Sequence, residues 1–125
     1  MSEKTILVVE DDLDIQSVLV KRLRDAGFCV YAASNGKHAY AIIECDPPDL
    51  VILDLMLPGM PGEEVCRRMR KHKEYMKIPV IMLTAKTAEV DSIVGRVIGA
   101  DHYMHKPFDH EELLGRVKQL LADKS

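Results

Sequence analysis

A five-stranded parallel sheet with helices on both faces is the fold that this sequence predicts. Short unbroken aliphatic runs recur along the chain, and a longer stretch with helical spacing follows each of them. Strands buried on both faces read as continuous apolar runs, whereas half-buried strands alternate apolar and polar positions. Five such runs in regular alternation with helices imply parallel strands joined by crossover helices.

The first run, Ile6, Leu7, Val8 and Val9, stops at Glu10-Asp11-Asp12 and predicts a buried strand. Ile15, Val18, Leu19 and Leu23 then form a helical stripe, with Asp12 or Asp14 as its cap and Gly27 at its end. Residues 28–33 predict a second strand, and Ser34-Asn35-Gly36 a turn. The helix over 37–45 turns Ala39, Ile42 and Ile43 inward, and Pro47-Pro48 ends it. Residues 50–53, Leu-Val-Ile-Leu, are the most apolar run and end at Asp54. A loop rich in turn residues, from Leu57 to Gly62, leads into a helix over 63–72. Residues 79–83 predict a fourth strand ending at Thr84. A helix over 89–98 closes at Gly99, a brief fifth strand covers 102–104, and a final helix covers 109–121.

Composition narrows the class. The 125 residues suit one domain, predicted to span 1–125, and 47% apolar with 30% charged residues suits a packed core and a soluble surface. No apolar run reaches the roughly 18 residues of a membrane span. The start is too soon interrupted by acids to read as a signal peptide, so a cytoplasmic location is expected. A net charge of −3 argues against direct nucleic-acid binding. The basic run from Arg67 to Lys73 reads as the solvated end of a helix. Cys29, Cys45 and Cys66 are scattered and odd in number, so reduced thiols are expected rather than a disulfide framework or a zinc site.

Function in such sheets gathers at the carboxyl ends of the strands. In this chain those ends carry Glu10 and Asp11, then Asp54, then Thr84, and Lys106 follows the fifth run. Singly, each residue has a plain structural explanation: a cap, a turn, a strand threonine, a surface lysine. Their joint placement at four strand ends does not. Two like charges about 4 Å apart repel by about 4 kcal/mol at an effective dielectric near 20, so clustered acids need compensation. A hard divalent cation with oxygen ligands supplies it, and Lys106 adds a further positive charge. A carboxylate beside Mg²⁺ and an ammonium suits attack on phosphorus to form an acyl phosphate.

At these residues the chain resembles the response-regulator receiver family over essentially its whole length. The matching segments are Ile6 to Asp12, Pro48 to Gly59, Pro79 to Ala85 and Gly99 to Phe108, in order and at the family's spacing. The resemblance implies a flavodoxin-like (βα)5 fold with strand order 2-1-3-4-5. It implies Asp54 as phosphoacceptor, with Mg²⁺ held by Asp11 and Asp54 side chains and the Met56 carbonyl, and Glu10 holding metal-bound water. Lys106 would pair with the phosphoryl group, and Lys106-Pro107 would be a cis peptide. Thr84 and Tyr103 would form a switch pair that shifts an output face made of the fourth helix, fifth strand and fifth helix. The implied partners are a sensor histidine kinase or phosphotransfer protein as donor, an output domain or partner protein on that face, and a phosphorylation-dependent homodimer. Such a protein is a signalling switch rather than a turnover enzyme. His102 and His105 depart from the family's usual residues, as do Ile93, Val94, Val97 and Ile98, where its winged-helix members present charges.

Two rival classes remain to be weighed. An aspartate-nucleophile phosphatase needs a second acid two residues after the nucleophile, where this chain has Met56. A flavin-phosphate-binding module needs anion-binding amides and small residues after the first strand, where this chain has Glu10, Asp11 and Asp12. A transition-metal site at His102, His105 and His110 is not expected.

Overall fold

The computed structural model describes residues 3–85 and 99–124. In chain order these form β1 (Thr5–Val9), α1 (Leu13–Asp25), β2 (Cys29–Ala33), α2 (Gly36–Cys45), β3 (Leu50–Asp54), α3 (Gly62–Lys71), β4 (Val80–Ala85), β5 (His102–Lys106) and α4 (His110–Lys124). The helix read over 89–98 lies outside the described residues.

All five strands pair in parallel in the order β2-β1-β3-β4-β5. The unbroken apolar runs form its centre. Alternate residues of each strand point to opposite faces, so each run feeds two cores. Leu7, Val9, Val51, Leu53, Val80 and Met82 pack with Ala39 and Ile43 of α2 and with Val65, Cys66 and Met69 of α3. Ile6, Val8, Leu50, Ile52, Ile81 and Leu83 pack with Leu19 and Leu23 of α1 and with Leu113, Val117 and Leu121 of α4. Ile6 to Val9, Leu50 to Leu53 and Val80 to Leu83 are fully buried. Truncating one of these to alanine typically costs about 2–5 kcal/mol.

Local chemistry sets the boundaries. Asp12 caps α1, its carboxylate accepting from the amides of Asp14 at 3.0 Å and Ile15 at 3.2 Å. Asp14 in the first turn and Arg22 and Arg24 in the last complement the helix dipole. Gly27 leaves α1 with φ at 99°, a left-handed conformation that glycine adopts without strain. Asn35 caps α2 through the His38 amide at 2.8 Å.

The structure extends β5 beyond its sequence-based end. It runs to Lys106, with Thr84 opposite His105 and Ala85 opposite Lys106. Lys106 is therefore the last residue of the strand and not part of the turn after it. An edge strand with one buried position offers no continuous apolar run to read.

Candidate functional site

Register brings the site together. Val9 lies opposite Leu53 and Asp54 lies opposite Leu83. The next step beyond Val9 and Leu53 sets Glu10 beside Asp54 at the carboxyl rim, Thr84 follows one step past Leu83 on β4, and Lys106 ends β5 opposite Ala85. Among the described residues, Glu10, Asp54 and Thr84 are the buried polar or charged ones, at 0%, 3% and 2% exposure. Asp11 is exposed beside them.

One carboxylate oxygen from each of Glu10, Asp11 and Asp54 lies within 4.8 Å of the others. The Lys106 ammonium bridges two of the three, 2.8 Å from Glu10 Oε1 and 2.8 Å from Asp54 Oδ2. The remaining oxygens meet backbone amides. Asp12 N–H donates to Glu10 Oε2 at 3.1 Å, and Met56 N–H donates to Asp54 Oδ1 at 3.1 Å. The Lys106–Pro107 peptide is cis, as the resemblance implies.

Electrostatics follow from this geometry. Burial pushes the Glu10 carboxyl above its usual range, against the pull of Lys106 and the Asp12 amide, and the Asp54 charge adds to the rise. Burial also favours the neutral form of Lys106, but its hydrogen bonds and charge contacts with Asp54 and Glu10 outweigh it and hold its pKa above the usual lysine value. One ammonium set against three carboxylates leaves a surplus of negative charge. Hard oxygen donors in that number and spacing fit a divalent cation such as Mg²⁺.

Tyr103 lies in β5 opposite Met82, half-buried against the α2–α3 core. Glu10, Asp11, Asp54 and Lys106 thus meet, and Thr84 stands buried near the end of β4. Met56 stands two residues past Asp54 with its side chain 70% exposed. His102, His105 and His110 form no metal cluster among the described residues.

Three residues near the site were not singled out from the sequence. Gln16 Nε2 donates to the Glu10 carbonyl at 2.9 Å, the Ala33 carbonyl at 3.2 Å and Ser34 Oγ at 3.3 Å. A Cβ on Gly36 would lie 1.9 Å from the Met60 carbonyl oxygen, and one on Gly62 would lie 2.2 Å from that of Asp54. Ser34-Asn35-Gly36 was legible as a turn, but no local pattern announces what the turn touches.

A doubly wound parallel sheet with a buried acidic rim and a bridging lysine defines a class of protein, and the comparisons name it. The model of the response regulator receiver domain matches residues 6–118. A response regulator structure from Chloroflexus aurantiacus J-10-fl is 39% identical, with 97% of this chain and 99% of that one covered and a TM-score of 0.91. A CheY-like receiver domain protein of Methanospirillum hungatei JF-1 is 30% identical, covering 98% and 96%, with a TM-score of 0.89. The receiver domain of a Pseudomonas aeruginosa PAO1 sensor histidine kinase, solved with magnesium coordinated in its active-site cleft, is 28% identical, covering 97% and 99%, with a TM-score of 0.89. This chain belongs to the response regulator receiver domain family of two-component signalling. Among the described residues, no helix is long and apolar enough to cross a membrane.

Proposed function

We infer that residues 1–125 form one cytoplasmic receiver whose Asp54 accepts a phosphoryl group from a phosphohistidine of a sensor histidine kinase or phosphotransfer protein. The observation that carries this reading is the Asp54 carboxylate, buried beside Glu10 and Asp11 and bridged to Glu10 by the Lys106 ammonium. An Asp54 carboxylate oxygen attacks phosphorus. The bond from phosphorus to the donor imidazole nitrogen breaks, and the imidazole leaves with the electron pair. Asp11 and Asp54 side chains and the Met56 carbonyl would hold Mg²⁺, with Glu10 holding its water. A cation held there would supply positive charge to the phosphoryl oxygens during transfer.

Lys106 supplies a second positive charge to the same oxygens. The new aspartyl phosphate carries roughly −1.5 to −2 charges and three strong acceptors. Thr84 and Lys106 are on neighbouring strands, so satisfying those acceptors draws the ends of β4 and β5 toward Asp54. Tyr103 turns inward behind Thr84, and the surface of β5 and α4 changes. That face is the proposed contact for an output domain, a partner protein or a second copy. The change is a population shift between two states of one fold, not turnover of a substrate. The phosphatase alternative still lacks its second acid, because Met56 transfers no protons.

Incubation with acetyl phosphate and Mg²⁺, followed by intact-mass measurement, tests the reading. Wild type is expected to gain one phosphoryl group and Asp54→Ala none. An adduct of equal yield on both removes Asp54 from its role.

A further inference from the structure

We propose that Gln16 and Gly36 are positioning residues that set the metal affinity of the acidic pocket by bracing its β1 side against the loop between β3 and α3. The proposal rests on the metal-binding reading above.

Gly36 is the first residue of α2. Its φ is not among the positive ones, which belong to Gly27, Gly59 and Gly99, so its backbone conformation does not call for glycine. Contact does. A Cβ there would lie 1.9 Å from the Met60 carbonyl oxygen and 2.8 Å from the carbonyl carbon. Both are backbone atoms that cannot rotate aside. The start of α2 is therefore pressed against residue 60 of the 55–61 loop, which leaves Asp54 and carries Met56. The far end of that loop is pinned as well, since the Gly62 amide donates to the Leu55 carbonyl at 3.0 Å and a Gly62 Cβ would meet the Asp54 carbonyl.

The same turn is tied to β1. Gln16 joins the Glu10 carbonyl to the Ala33 carbonyl and Ser34 Oγ, and the Glu10 amide donates to the Ala33 carbonyl at 3.0 Å. Residues 33–36 thus form a strut. One end holds the backbone of Glu10, and the other abuts the loop of Met56. Neither Gln16 nor Gly36 reaches a carboxylate. Mg²⁺ demands near-ideal octahedral geometry at about 2.0–2.1 Å, so a small change in the separation of its ligands costs affinity.

Calorimetric Mg²⁺ titration of wild type, Gly36→Ala, Gln16→Leu and Gly115→Ala decides, together with the melting temperature of each. Gly115→Ala is the control, because a Cβ at Gly115 meets nothing within 4 Å. The expected result is a Mg²⁺ dissociation constant raised roughly 10-fold or more in Gly36→Ala and Gln16→Leu. It is unchanged in Gly115→Ala, and the acyl phosphate yield at saturating Mg²⁺ is retained in all. A lower melting temperature with unchanged Mg²⁺ affinity overturns the proposal and leaves a merely structural role. If Gly36→Ala does not fold, Gln16→Leu decides by the same criterion. Failure of wild type itself to bind Mg²⁺ sinks the underlying functional reading instead, and the two failures are distinct.

Discussion

The Lys106 ammonium is shared between Glu10 and Asp54, at 2.8 Å from each. One cation therefore answers two buried anions, one just past the end of β1 and one at the end of β3. Any ligand that brings its own positive charge relieves Lys106 of part of that task, and any phosphoryl group gives it a new partner.

Replacing Lys106 by Met keeps the aliphatic stem and removes the charge. Glu10, fully buried, then loses the ammonium and keeps the Asp12 amide, with the Asp54 carboxyl still beside it. Without divalent cation the variant is expected to lose about 1–3 kcal/mol, less than for a fully buried pair because Lys106 is partly exposed. Mg²⁺ should restore more stability to the variant than it adds to wild type, because it replaces the missing charge. Thermal denaturation with chelator and with saturating Mg²⁺ checks both points; an equal Mg²⁺ increment in the two proteins contradicts the second.

Much of the fold was legible because three central strands are buried on both faces and so appear as unbroken aliphatic runs. Asp54 announced itself by following such a run, and Glu10 and Thr84 likewise. β5 was read too short, since Met104 is its single buried position. Gln16, Gly36 and Gly62 act through contacts distant in sequence, which residue periodicity does not encode. Arg70 shows the same limit. It sits in a basic run that reads as solvated, and Arg67 and Arg68 are indeed exposed and paired with Glu64. Arg70 instead donates to the carbonyls of Gly99 at 3.0 Å, Met76 at 3.1 Å and Ile78 at 2.9 Å, and to the Asp101 carboxylate at 3.0 Å.

Arg70→Met should therefore destabilise the protein, whereas Lys73→Met should not. Arg70 ties the end of α3 to the segments leading into β4 and β5. Asp101 also accepts from the Val80 amide at 2.8 Å, so its carboxylate is part of the same joint. The expected loss is about 2 kcal/mol for Arg70→Met, against less than about 0.5 kcal/mol for Lys73→Met. Urea denaturation of the two variants measures the difference, and equal midpoints would show the joint to be idle.

Acid should weaken the protein through His102. Burial lowers its pKa, the Arg116 charge lowers it further, and Glu112 opposes the shift only in part. The folded state thus favours neutral imidazole. Below about pH 6.5 the unfolded chain binds this proton more readily than the folded one, so stability falls as pH drops from there toward the folded pKa. His110 shifts in the same direction, from burial and from Arg22, with Asp109 opposing. Urea midpoints at about pH 7.5 and about pH 5.5 are expected to differ less in His102→Gln than in wild type. An equal difference would remove His102 from the acid response.

The aspartyl phosphate itself should be long-lived. Its hydrolysis needs a water aligned with phosphorus, and a positioned base speeds such steps by roughly 10²–10⁴-fold. Met56 stands two residues past Asp54, 70% exposed, and its thioether offers no proton acceptor. Lys86, two residues past Thr84 in sequence and outside the described residues, is no base in its charged form. The expected long lifetime thus rests on the lack of a positioned base at Met56 and Lys86. After donor removal with Mg²⁺ kept, the adduct followed by intact mass should decay with a half-life of minutes or longer. Met56→Asn, which adds a hydrogen-bonding amide at the same place, should shorten it. A wild-type half-life of seconds would mean that another group on the rim activates the water.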